Sequence, residues 1–321
     1  MMGVEPFEAF GDLDEISERL ASPDPSVRRL AVIDLVETSS GEAIPLLVRA
    51  AGDPAAEVRL QAARALGEFD GVDVAKALIG ALVDSDAAVA QEAAGSLAEI
   101  RDSRASAVLL PLVAHSSAFV RAAILRALKA LQVSESLGPA VAALGDGDAA
   151  VRVQAVGVIG YLKQVETLPS LIHATRDASA DVRLAAINAL SFARNDAAAQ
   201  AAASALSDRE WQVRAAAAET IGRIGHASAV NPLIASLQDG YWQVRQKALQ
   251  NLGKLRARAA VGAIIPFLAD ALPSLRKDAA AALGDIADAE ARDALATRVH
   301  DEDPDVRKTA IWALAQIGAR N

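Results

Sequence analysis

The chain contains no cysteine. Disulfides, thiolate catalysis and cysteine-based zinc or iron–sulfur sites are therefore excluded. Aromatic residues make up only 3% of the chain, while AVILMFWYC together make up 52%. Alanine and leucine carry the apolar content, which favours close-packed helices over sheets. There are four histidines, His115, His173, His226 and His300. None stands at ligand spacing from another, so solvated or capping roles are expected and no metal. No apolar run approaches the roughly 20 residues needed to cross a bilayer. The segment from Met1 to Phe10 carries Glu5 and Glu8 and no basic residue. It is not expected to be a secretory signal, and a cytoplasmic location follows as the default. The net charge of -9 and pI near 5.1 argue against broad binding to phosphate backbones. Glycine and proline are scattered, as in neither linker nor disordered sequence.

What the chain does have is a period. Val-Arg or a near relative occurs at Val27-Arg28, Val58-Arg59, Val89-Ala90, Val120-Arg121, Val151-Arg152, Val182-Arg183, Val213-Arg214, Val244-Arg245, Leu275-Arg276 and Val306-Arg307. Every interval is 31 residues, without insertion. Four residues after each Val comes a small column: Ala31, Ala62, Ala93, Ile124, Ala155, Ala186, Ala217, Ala248, Ala279 and Ala310. Eight residues after it comes Leu or Ile, from Leu35 and Leu66 to Leu283 and Leu314. Spacings of four and eight keep one face of a helix, here named helix B.

The boundaries of helix B are legible. Asp24, Asp86, Ser117, Asp148, Ser179 and Asp303 occupy the expected N-cap. Pro25, Pro273 and Pro304 follow at the first helical position. Gly67, Gly160, Gly222, Gly253 and Gly284 lie near the last turn and are expected to end the helix. A preceding helix A carries core pairs spaced by four, such as Leu78 and Leu82, Leu109 and Val113, or Leu233 and Leu237. The first helix A is expected over Asp12 to Leu20. Pro111 and Pro266 fall within helices A and predict a kink there.

This V-R-x-x-A-x-x-A-L-G pattern resembles the HEAT family, and more narrowly the HEAT-like repeats of phycobilin lyases (the PBS lyase type). The resemblance runs from about Leu13 to Ala319. It implies an all-α fold, a right-handed α-α superhelix of ten two-helix repeats of 31 residues. It also implies one solenoid over 1–321, with a short lead 1–11 and repeats over about 12–319. It further implies a ladder pairing a turn Asp with the helix-B Arg six residues on: Asp53 with Arg59, Asp146 with Arg152, Asp177 with Arg183, Asp208 with Arg214, Asp239 with Arg245, Asp270 with Arg276 and Asp301 with Arg307. A planar guanidinium suits such a structural role better than phosphate binding. The ladder is interrupted where Asp84 is followed by Ala90 and His115 by Arg121, and a pair of Asp84 with Arg121 across the boundary is expected there.

The resemblance places helices B on the concave side. Positions -1, +2, +6 and +10 from the Val point away from the core and would line it. They include Phe119, Val153, Tyr161, Leu184, Asn188, Gln212, Glu219, Gln243 and Gln250. Solvent-facing apolar residues on one wall mark a contact surface. Trp211 and Trp242 share a column two before the Val, each in an identical Trp-Gln-Val-Arg string. Stacked on one another, two indoles would anchor a partner protein; the alternative is that they fill grooves between repeats.

No catalytic constellation is present: no His-Glu-x-x-His, Walker loop or Gly-x-Ser-x-Gly elbow. Glu219 is the best-placed single carboxylate, and Arg223 four residues on is its natural partner. Arg245, Lys247, Lys254, Arg256, Arg258, Lys277 and Lys308 form a basic cluster suited to an acidic surface. The expected role is a non-catalytic interaction scaffold, or an assembly or maturation factor, without cofactor or metal. It would bind a protein over repeats 4 to 8. Two alternatives stand beside it: a bilin lyase or isomerase subunit, implied by the resemblance, and a nucleic-acid-binding HEAT-like protein.

Overall fold

In a computed structural model of the protein, residues 13–38 and 40–320 are described. The acidic leader and Asp12 lie outside the described residues; the first helix A runs over Leu13–Arg19. Among the described residues all regular elements are helical and no strand is present. Two compact units divide the chain, one ending at Leu162 and the other beginning at Lys163. Five of the ten 31-residue repeats fall in each.

The B helices of the first unit span Pro25–Glu37, Ala56–Leu66, Ala87–Leu97, Ala118–Leu131 and Ala149–Leu162. Those of the second span Ala180–Ala189, Trp211–Ile224, Trp242–Lys254, Pro273–Ile286 and Pro304–Arg320. Their periodic residues form the core of each unit. From Val58 to Val306 the Val column is at most 3% exposed, and from Leu35 to Leu283 the column eight residues later is fully buried. Within each unit, successive B helices pack on one another more extensively than successive A helices do. Small alanines in the middle column permit this close approach.

The cap signals hold at the aspartates. Asp24, Asp86, Asp148 and Asp303 each accept a backbone N–H of the first turn. Ser117 and Ser179 occupy N-cap positions without a side-chain bond. Pro111 and Pro266 disturb helix A where a kink is expected, and end the α-helix outright. The α-helix stops at Leu109 and at Ile264, and a 3-10 segment holding the proline follows in each case.

Gly67 follows the last residue of its helix, Leu66, as expected, but the other exit glycines do not, and Gly160 lies inside Ala149–Leu162. Gly222, Gly253 and Gly284 lie inside their B helices and do not end them. A Cβ on Gly222 would sit inside the Asn251 side chain, one on Gly253 would meet the Ala282 Cα at 2.7 Å, and one on Gly284 would meet the Ala313 Cα at 2.9 Å. These glycines let the next helix in. The B helices ending at Leu131, Ile224 and Ile286 are closed instead by left-handed residues: Gln132 (φ 59°), Gly225 (φ 74°) and Ala287 (φ 55°).

Candidate functional site

The turn arginines fix which groups of the turns are left free. Six of them read both the carbonyls of their own turn and the carboxylate of the next. Arg59 donates through one terminal nitrogen to the Asp53 and Pro54 carbonyls at 2.9 and 3.1 Å. Its other edge grips both Asp84 oxygens at 2.6 and 2.8 Å. The same arrangement joins Arg28 to Asp53 and Arg121 to Asp146 in the first unit. In the second it joins Arg183 to Asp208, Arg214 to Asp239 and Arg276 to Asp301.

The pairing is thus 25 residues forward, not six within the turn, and Asp84 pairs with Arg59 rather than with Arg121. The reason is geometric. A guanidinium whose one nitrogen is committed to its own turn's carbonyls has its bidentate edge turned toward the following repeat. The forward register also explains the interruption: Ala90 and His115 are 25 apart, so one whole rung is missing rather than two half-rungs. His115 instead uses Nδ1 to accept the Ser117 N–H. Sequence alone held this signal, since Arg and Asp are lost together at that spacing and the first turn carries Ser22.

Hydrogen bonds from the arginines, above all other causes, hold Asp53, Asp84, Asp146 and Asp301 below the usual carboxylate range. At Asp208 and Asp239 burial pushes upward. The bonds from Arg183 and Arg214 and from the Glu210 and Tyr241 amides outweigh it, and both end lowered. Arg245 stands apart. It donates to the Asp239 and Gly240 carbonyls but makes no ion pair among the described residues. Asp270, its counterpart 25 residues on, accepts the Leu272 N–H as the paired aspartates accept the N–H two residues on.

The tryptophans are not stacked on each other. Trp211 stacks on Tyr241, with ring centroids 5.8 Å apart and planes 13° from parallel. The Arg214 guanidinium lies 5.4 Å from the centre of the same Tyr241 ring, a cation–π distance. Trp211 is half-buried by this arrangement, whereas Trp242 is 41% exposed. The physical difference lies in the residue one turn on: Tyr241 covers Trp211, and Leu272 stands at the matching position for Trp242.

Of the other expected contact residues, Phe119, Val153 and Tyr161 belong to the first unit. Phe119 and Tyr161 are exposed and Val153 is half-buried. The Tyr161 hydroxyl accepts a bond from Gln132 at 2.7 Å. The remainder belong to the second unit. Leu184 is half-buried; Asn188 and Gln212 are exposed. Glu219 is bonded to Arg223 and, at 3.0 Å, to Lys247. The Lys247 bond is the main cause holding the Glu219 carboxyl below its usual range. A carboxylate so held is a poor proton acceptor at neutral pH.

Gln246 and Gln250 both donate to Asp278, at 2.7 and 3.3 Å, and Asp278 is buried. Gln243 has an Oε1 shielded from solvent that accepts no hydrogen bond among the described residues. Among the described residues, no group of three His, Cys, Asp or Glu is arranged to hold a metal. Among the same residues, no helix is long and apolar enough to cross a membrane.

A hollow of about 560 Å³ lies in the first unit against the B helices of repeats 2 to 4, around Leu60, Gln91 and Gly95. Charge also divides between the units. Residues 1–162 carry 23 acidic and 13 basic side chains, and residues 163–321 carry 18 and 19. The acidic balance therefore belongs to the first unit. In the second, Lys247 and Arg258 of the basic cluster are paired internally, with Glu219 and Asp288.

Residues 13–89, 139–208, 200–271 and 262–320 match the family of HEAT repeats. No curated protein matches the chain. Among solved structures, an engineered protein aligns over 96% of this chain and 99% of its own, at 21% identity and a TM-score of 0.54. Importin beta aligns over 95% of this chain at 16% identity and a TM-score of 0.62. Kap95 in its complex with Nup1 aligns over 96% at 15% identity, with the same TM-score. This chain spans 50% of the length of each of these two, and the likeness is one of fold. With a repeat profile matched over most of its length and paired helices throughout, the chain belongs to the HEAT-repeat family.

Proposed function

We propose that this protein is a non-catalytic interaction scaffold that holds a partner protein on the exposed face of its B helices. The observation that carries the reading is the placement of the scarce aromatics. The chain has three tryptophans and two tyrosines. Tyr161, Tyr241, Trp242 and Trp312 are all exposed, at 41–49% of their surface. Phe119 adds a fifth exposed ring at 40%. Large rings kept at the surface are what protein–protein contacts use as anchors. Polar groups beside them, Asn188, Gln212 and Gln250, set the register of the partner. The fold likeness to Kap95, whose solved complexes hold RanGDP or Nup1, agrees with a protein as the ligand. An assembly or maturation role in the cytoplasm fits the same reading.

Capture of the tagged protein from its native cells, followed by lysine cross-linking, tests it. Partner cross-links are expected at Lys254, Lys277 and Lys308, on or at the ends of B helices. They are not expected at Lys76, on the helix A spanning Val72–Ala81. Recovery of no protein partner, or cross-links confined to Lys76, refutes the proposal.

A further inference from the structure

The string Trp-Gln-Val-Arg occurs at residues 211–214 and again at 242–245, and its two copies meet different surroundings. In the first copy every aromatic and charged group is met from within the chain. Tyr241 stacks on Trp211, and Arg214 lies against the Tyr241 ring and grips both Asp239 oxygens. In the second copy Arg245 keeps the carbonyls of its own turn but makes no ion pair, and Trp242 has no ring partner among the described residues. The following turns share the aspartate and differ at the next two residues. The first copy is served by Asp239-Gly240-Tyr241; the second faces Asp270-Ala271-Leu272. Leu272 has no π face to offer either Trp242 or Arg245, and it is itself 38% exposed.

We infer that the second copy is a docking point for a partner-protein segment carrying an acidic residue two positions before an aromatic one. Such a segment gives Arg245 and Trp242 what Asp239 and Tyr241 give Arg214 and Trp211. The occupant is thus read from the chain's own solution to the same four residues. A guanidinium with its bidentate edge unspent is a strong receptor for a carboxylate. An exposed indole beside it takes a flat ring by offset stacking and a neighbouring cation by its π face. With 18 acidic against 19 basic side chains, the second unit does not repel an acidic segment as the first would. The inference rests on the protein-binding reading above and adds to it the site and the chemistry of the partner.

The test is a titration of the full chain with an acetylated peptide of sequence Leu-Gln-Asp-Gly-Tyr, a copy of residues 237–241. The indole N–H signals are followed by NMR, with Trp242 assigned through Trp242→Phe. The Trp242 signal is expected to shift and saturate. Replacing the peptide's Asp by Asn, or its Tyr by Ala, is expected to weaken binding by about tenfold each. The protein variant Leu272→Tyr is the decisive control, because it supplies the missing ring from within. It should keep its helical circular dichroism and lose the response. An equal response in wild type and Leu272→Tyr overturns the inference, as does equal binding of the Asn peptide, or an unmoved Trp242 signal at millimolar peptide. A silent peptide alongside capture of the same proteins by wild type and Leu272→Tyr removes this docking point and leaves the scaffold reading standing.

Discussion

The same substitution, glycine to alanine inside a B helix, should have opposite signs at Gly95 and Gly253. In a helix interior alanine is favoured over glycine by about 1 kcal/mol, since it has less backbone entropy to lose. A Cβ on Gly95 has nothing within 4 Å, because the residue borders the 560 Å³ hollow. Gly95→Ala should therefore stabilise by roughly 0.5–1 kcal/mol. At Gly253 the added carbon lands 2.7 Å from the Ala282 Cα, 3.1 Å from its Cβ and 3.2 Å from an Asp285 oxygen. Ordinary carbon contacts are about 3.5–4.0 Å, so the helices Trp242–Lys254 and Pro273–Ile286 must part by close to 1 Å. A backbone atom cannot rotate away. The overpacking costs about 1–3 kcal/mol, which exceeds the propensity gain. The net expectation for Gly253→Ala is a loss of about 1–2 kcal/mol. Urea denaturation read by circular dichroism, with amide exchange to localise the change, measures both variants; solenoids need the local readout because repeats open separately. Equal signs, or a stabilised Gly253→Ala, would refute the close-approach argument.

Other expectations follow from the arginine ladder and the B-helix face. Asp208→Ala should destabilise by about 2–3 kcal/mol, because it leaves the Arg183 guanidinium, 6% exposed, without its carboxylate; amide exchange in the helices flanking that turn reads it. Six ladder aspartates titrate lower folded than unfolded. Their contribution is complete above the ordinary Asp value of about 3.9 and is lost as pH falls below it through the folded values. Stability measured against pH should thus hold at neutrality and fall steeply below about pH 4, and a flat acid limb would contradict this. Restoring the missing rung with Ala90→Arg plus His115→Asp should raise the first unit's melting temperature more than the two single changes together; additive behaviour in the double-mutant cycle would show that no rung formed. Gln243→Met removes the solvent-shielded Oε1 that accepts no bond and should be neutral or mildly stabilising by thermal melt.

The 31-residue spacing determined the helical fold by itself. A column of Val, small residue and Leu at 0, +4 and +8 leaves one apolar face that only a neighbouring copy can cover. The aspartate caps and the disturbance of helix A at Pro111 and Pro266 were legible for the same reason, since their causes lie within a few residues of chain. The candidate surface was legible only as a set of columns. Which aspartate each arginine grips, why Gly222, Gly253 and Gly284 are glycine, and that Trp211 meets Tyr241 while Trp242 meets no ring, were decided between repeats. Those contacts depend on how one turn projects onto the next, a distance of 25 to 31 residues along the chain but of one helix width in space. Identical strings such as Trp-Gln-Val-Arg can therefore be satisfied in one repeat and open in the next, a difference that tertiary packing alone creates.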